Sequence, residues 1–95
     1  MKLTVSGAAL ADLKRLQAFL ADKNVNAARR AVAAIVRAID SLAEFPDRGH
    51  PAGVAGLRDL IVPFGRSTYI IRFAHDHGAG EIIVLRIWHG REART

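Results

Sequence analysis

The segment Tyr69-Ile-Ile-Arg-Phe73, a polar turn, and the run from Glu81 through Ile82-Ile-Val-Leu-Arg-Ile87 to Trp88 constrain the fold more than any other part of the chain. Runs of β-branched and aromatic residues around a glycine-containing connection read as a β-hairpin. Both strands are apolar on both faces, and each carries an arginine. A sheet covered by helices on one side normally alternates apolar and polar residues. On strict alternation, one face holds Tyr69, Ile71 and Phe73 with Ile83, Leu85 and Ile87. The other holds Ile70 and Arg72 with Ile82, Val84, Arg86 and Trp88. A chain of 95 residues has too little mass to cover both faces, so the second face is expected to meet a partner.

Upstream, Leu3 and Val5 alternate as in a strand, and Ser6 is placed to cap a helix running to about Asp22. Leu10, Leu13, Leu16 and Leu20, joined by Phe19, form its apolar stripe, with Asp12, Lys14 and Arg15 largely elsewhere. Asn24 or Asn26 opens a second helix on which Ala28, Ala31, Val32, Ile35, Ile39 and Leu42 recur at spacings of three and four. Pro46 is expected to stop it. The two helices should pack as an antiparallel hairpin. A loop rich in proline and glycine follows, then strands over 57–62, 66–73 and 81–88, with the last few residues fraying or docking on a partner. The order is β-α-α-β-β-β. The expected fold is α+β, a single domain over 1–95 in which an N-terminal strand and a helical hairpin pack on a small, mainly antiparallel sheet.

Fourteen Lys and Arg stand against nine Asp and Glu, a net charge of +5 that favours acidic partners. Without cysteine there is no disulfide or thiolate chemistry. No run approaches a membrane span or a signal peptide, so a cytoplasmic protein is expected. His75 and His77 lie two apart in a turn with no third ligand implied, and no metal site or cofactor is expected. No dinucleotide or phosphate loop and no base-reading helix is present, so DNA binding is not expected of the chain by itself.

The element order, with Ser6, Ala9, Asp12-Leu13, Ala27-Ala28, Phe45-Pro46, Gly49, the Leu57-Arg58-Asp59-Leu60 run, Tyr69–Phe73 and the closing Trp88-His89-Gly90-Arg91, resembles the RelE/ParE toxins of bacterial toxin–antitoxin operons. The closing His-Gly-Arg most resembles the ParE branch. That resemblance implies a DNA gyrase inhibitor held in complex with a ParD-like antitoxin. Catalytic residues are then not expected. Ile70, Arg72, Ile82, Val84 and Arg86 are expected to bind the antitoxin, the arginines pairing with its acidic side chains. Covering of the same face by a second copy of the chain is the alternative. Substituting Arg72→Glu is expected to weaken antitoxin binding without unfolding the chain. Trp88, His89 and Arg91 are expected to engage the target, or else Trp88 plugs the edge of the core.

Two other readings stay open. One is a RelE-like, ribosome-dependent mRNA endonuclease, for which Arg58, Arg72, Arg86 and His89 would supply the catalytic groups. Arginine neutralises phosphate but is a poor proton shuttle, and the lysines and C-terminal tyrosine of that branch are missing here. The other is a relative that binds its antitoxin without being toxic.

Overall fold

Leu3 and Val5 alternate with Lys2 and Thr4 in a short strand, β1 (Lys2–Val5). The Ser6 hydroxyl then accepts the Ala9 N–H and starts α1 (Gly7–Ala21), as an N-cap should. Asn24 performs the same service for Ala27 at the head of α2 (Val25–Ser41). Four strands follow: β2 (His50–Pro51), β3 (Leu57–Phe64), β4 (Ser67–Asp76) and β5 (Glu81–His89). This computed structural model describes residues 1–92. The chain's last three residues, expected to fray or dock, lie outside the described region.

The strands form one sheet in the order β1-β5-β4-β3-β2. Every pairing is antiparallel except β1 with β5, where first and last strands run parallel. The α+β architecture expected from the sequence is thus present, with one more strand. His50–Pro51 pairs with Asp59 and Arg58 inside what reads as a loop, and two residues leave no periodicity to detect. The second helix also ends earlier than expected. It stops at Ser41, and turns through Glu44 carry the chain to Pro46. A residue before proline is pushed out of the α region, so the chain must leave the helix before Phe45.

Both helices cover one face of the sheet. Ala31, Ile35, Ile39 and Leu42 of the α2 region meet Ala9 and Leu16 of α1 and the inner residues of β3, β4 and β5. Each fully buried Leu, Ile or Phe contributes about 1.5–3 kcal/mol, so this layer supplies most of the folding drive. α1 is rotated relative to the expected stripe. Leu10 and Phe19 are exposed, while Ala9 and Asp12 are buried. The early part of α1 lies over the β5 edge, where the Asp12 carboxylate meets the Ile87 N–H, while Leu13, Leu16 and Leu20 still pack on the core.

The hairpin departs from strict alternation at one residue. Arg72 pairs with Arg86 but Phe73 pairs with Val84, so Leu85 is an extra residue in β5. Such a bulge shifts the side-chain parity on either side of it. Ile82, Val84 and Ile87 all point into the core with Tyr69, Ile71 and Phe73. Ile82 and Val84, expected on the outer face, are fully buried, and Ile83 and Leu85, expected inside, are only partly buried.

Candidate functional site

Past the end of β1, residues 85–89 of β5 have no neighbouring strand on that side among the described residues. Unpaired backbone groups at a sheet edge need other partners. Ser6 supplies two: its N–H donates to Val84 O and its hydroxyl to Leu85 O. The Asp12 carboxylate accepts the Ile87 N–H at 2.9 Å, and Arg15 donates to Ile87 O at 3.4 Å. Glu92 accepts the His89 N–H at 2.9 Å and also pairs with Arg15. α1 and the C-terminal turn thereby replace a strand with side chains. Asp12, only 4% exposed, was not recognised in the sequence as a buried group. Its place in the Asp12-Leu13 pair, flanked by apolar positions, was the available signal.

The same carboxylate receives the Arg86 guanidinium through Nε at 2.7 Å and Nη2 at 3.1 Å. On the adjoining strands, Arg72 grips Asp59 through two bonds of 2.9 and 3.0 Å. Arg72 and Arg86 are direct cross-strand partners, an arrangement that repels unless each charge is balanced. Each has its own carboxylate, and both guanidiniums also lie over the Trp88 ring, at 5.0 and 5.2 Å from its centroid. Burial pushes the Asp12 carboxyl up. The hydrogen bonds of Arg86 and Ile87, the Arg86 charge and Arg15 outweigh it and hold the group below its ordinary value. The Asp59 hydrogen bond pushes Arg72 up, and that of Asp12 pushes Arg86 up.

This geometry revises the expected roles. Arg72 and Arg86 already hold internal acids, so an acid of a partner would have to share these guanidiniums with Asp59 and Asp12. Ile70 is 5% and Trp88 4% exposed, each covering the other across β4 and β5. Trp88 is therefore not an exposed anchor; two arginines and a cross-strand isoleucine enclose it. Arg58 is committed as well, donating to the carbonyls of Arg48 at 3.1 Å and Gly49 at 2.8 Å. Tyr69 is buried, and burial pushes its phenol up.

His89 and Arg91 lie elsewhere. With Phe19, Lys23, Arg66 and Glu92 they line a groove of about 750 Å³ between α1 and the end of the β4–β5 pair. Phe19 is 57% exposed there, with the Lys23 ammonium 4.6 Å from its ring centroid. His89 packs edge-on against Tyr69, and its Nδ1 accepts the Arg91 N–H, which leaves the Arg91 side chain at the surface. Gly90 follows from close approach: a Cβ there would collide with the Thr68 hydroxyl, and its N–H donates to Thr68 O. The His-Gly-Arg segment is thus a turn that presents cations beside an exposed aromatic ring. Such a surface suits recognition of an acidic, partly apolar partner.

Comparison with known proteins agrees with this architecture. Residues 3–94 match the family described as ParE toxin of type II toxin-antitoxin system, parDE. The chain is similar to the Caulobacter vibrioides protein Toxin RelE1, 39% identical over 90 residues that span 95% of this chain and 94% of that one. Toxin RelE2 of the same organism is 37% identical over 78 residues, 82% of this chain and 84% of that one. A chain of the chromosomal ParDE TA system from P. aeruginosa superposes with a TM-score of 0.75, at 27% identity and 92% coverage of each chain.

Proposed function

The chain belongs to the ParE toxin family of type II toxin–antitoxin systems, and on that premise we propose that it binds and inhibits DNA gyrase and is neutralised by a ParD-like antitoxin. The observation that carries the choice of binding over catalysis is the commitment of the arginines. Ribose-phosphate cleavage needs a proton acceptor, a proton donor and free cations around one phosphate. Arg72, Arg86 and Arg58 are instead held by Asp59, Asp12 and two backbone carbonyls. The His89 ring has one nitrogen occupied by the Arg91 N–H. The groove beside α1 needs no chemistry to act. Its Lys23, Arg66 and Arg91 supply charge for an acidic partner, and Phe19 supplies apolar area.

The test is to induce the chain without antitoxin, pulse-label DNA and protein synthesis, and assay purified gyrase for supercoiling. DNA synthesis should fall first, and the purified chain should inhibit supercoiling. Early loss of protein synthesis with cleaved mRNA would instead support the RelE-type ribosomal activity. Unchanged synthesis of both, with folded chain accumulating, would support a non-toxic relative.

A further inference from the structure

The Asp47 carboxylate closes a cluster that the sequence leaves open. His75 and His77 are two apart on β4 and its turn, so both rings fall on the same side of the chain. The Asp76 side chain between them accepts the Ala79 N–H and fixes the turn. Asp47, from the loop after α2, brings one oxygen to 3.4 Å from His75 Nδ1 and 3.5 Å from His77 Nε2. All three donor atoms lie within 4.8 Å of one another. The sequence implies no third ligand beside the two histidines, and the fold brings Asp47 to them as a candidate.

We propose that Asp47, His75 and His77 form a Zn²⁺ site that ties the loop after α2 to the β4–β5 hairpin. Three independent observations meet there. First, the two His–Asp spacings fit. Donor atoms bound tetrahedrally to zinc at about 2.0–2.1 Å are about 3.3–3.4 Å apart, close to both His–Asp separations. A charge-assisted hydrogen bond would be shorter, at about 2.7–2.9 Å. Second, His75 Nδ1 is buried and finds no hydrogen-bond partner among the described residues, in a side chain only 5% exposed. Buried polar atoms almost always find a partner, and a lone pair facing a carboxylate across this gap gains one from a cation. Third, one acidic and two imidazole ligands are the set zinc accepts, and three protein ligands leave coordination positions for solvent. Those positions face a cleft of about 500 Å³, whose wall includes Pro51, Val54 and Arg58.

The neighbouring charges permit it. Arg58 is drawn aside by the carbonyls of Arg48 and Gly49, which belong to the same loop as Asp47. The His75 and His77 rings lie 3.7 Å apart between centroids at 33°, closer than the roughly 5 Å of two imidazoles on one tetrahedral ion, so binding requires His77, exposed on its turn, to swing away from His75. A bound ion would add a cross-link between residues 47 and 75, which the sheet does not otherwise join.

The experiment uses the full chain without an affinity tag, titrated with ZnCl₂ by calorimetry and followed by thermal melting. One equivalent should bind, with a raised melting temperature. The Co²⁺ form should show the visible absorption of a tetrahedral N/O site. Asp47→Asn and His77→Ala should each weaken binding at least tenfold. Both side chains are about three-quarters exposed, so these variants should fold as the parent does. Absence of binding by millimolar zinc would overturn the proposal and leave His75 and Asp47 as a simple ion pair. Binding that survives both substitutions would also overturn it, because the ion would then sit elsewhere.

Discussion

A carboxylate that receives four donors is held by the fold rather than by solvent, and Asp12 is in that position. Arg86 gives it two, the Ile87 N–H one, and Arg15 a longer fourth at 3.4 Å. Replacing Asp12→Ala would orphan a buried backbone N–H and unbalance the Arg72–Arg86 pair. The expected cost is about 2–3 kcal/mol, read as a lower urea midpoint at unchanged slope. Because the folded pKa of Asp12 is depressed, its stabilisation is complete above the unfolded pKa of about 3.9 and fades as pH falls through the lower folded value. Asp12→Asn should therefore narrow its stability gap to the parent as the medium is acidified below about pH 4. Gly49 is constrained differently. Its φ is +89°, and a Cβ would strike the Asp59 carbonyl, which is backbone and cannot turn away. Gly49→Ala should cost about 3 kcal/mol or more and be visible in the same urea melts.

At the level of elements, the hairpin shows what periodicity can and cannot reveal. Helix caps at Ser6 and Asn24, the α2 stripe and the order of the long strands were legible, because each depends on local spacing. The bulge at Leu85 was not, since an extra residue in a strand apolar on both faces leaves no break in the pattern. It reassigns Ile82 and Val84 to the core, and with them part of the expected antitoxin surface. The paired acids were hidden for another reason. Asp12 and Arg86 are 74 positions apart, and Asp59 meets Arg72 only once β3 and β4 are in register. Asp47 reaches the two histidines only through the tertiary fold, which is why a metal site could not be read from their spacing alone. These pairings change the expectation for Arg72→Glu. A glutamate there would face Asp59 and uncover Trp88, so the variant should lose about 2 kcal/mol or more of stability rather than retain the parent fold. Trp88 is the sole tryptophan, and its emission can report this directly. The milder Arg72→Ala should shift that emission to the red while far-ultraviolet circular dichroism stays native. An unshifted spectrum would mean that the guanidinium does not shield the ring.

Across the whole molecule, internal pairing decides which charges are left to act outward. The chain carries a net +5, yet Arg72, Arg86, Arg58 and Arg15 are all engaged within the fold. Lys23, Arg66 and Arg91 line the groove around the exposed Phe19 ring, and Arg29, Arg30 and Arg37 form a second exposed basic strip on α2. Truncation from Trp88 would be a poor probe of the groove, because it removes a buried ring and the edge contacts of His89 and Glu92 as well. Point substitutions are cleaner. Arg91→Glu and Phe19→Asp alter exposed side chains and should change stability by no more than about 0.5 kcal/mol, or roughly 2–4 °C in melting temperature. If the groove is the gyrase-binding surface, each should raise the concentration needed for half-inhibition of supercoiling about tenfold or more. Raising the salt should weaken the parent and narrow its gap to Arg91→Glu, because screening acts on the contact that the variant lacks. The Phe19→Asp gap should narrow less, since part of its loss is apolar area. Inhibition that is unchanged in both folded variants would place the gyrase contact on another face of the toxin.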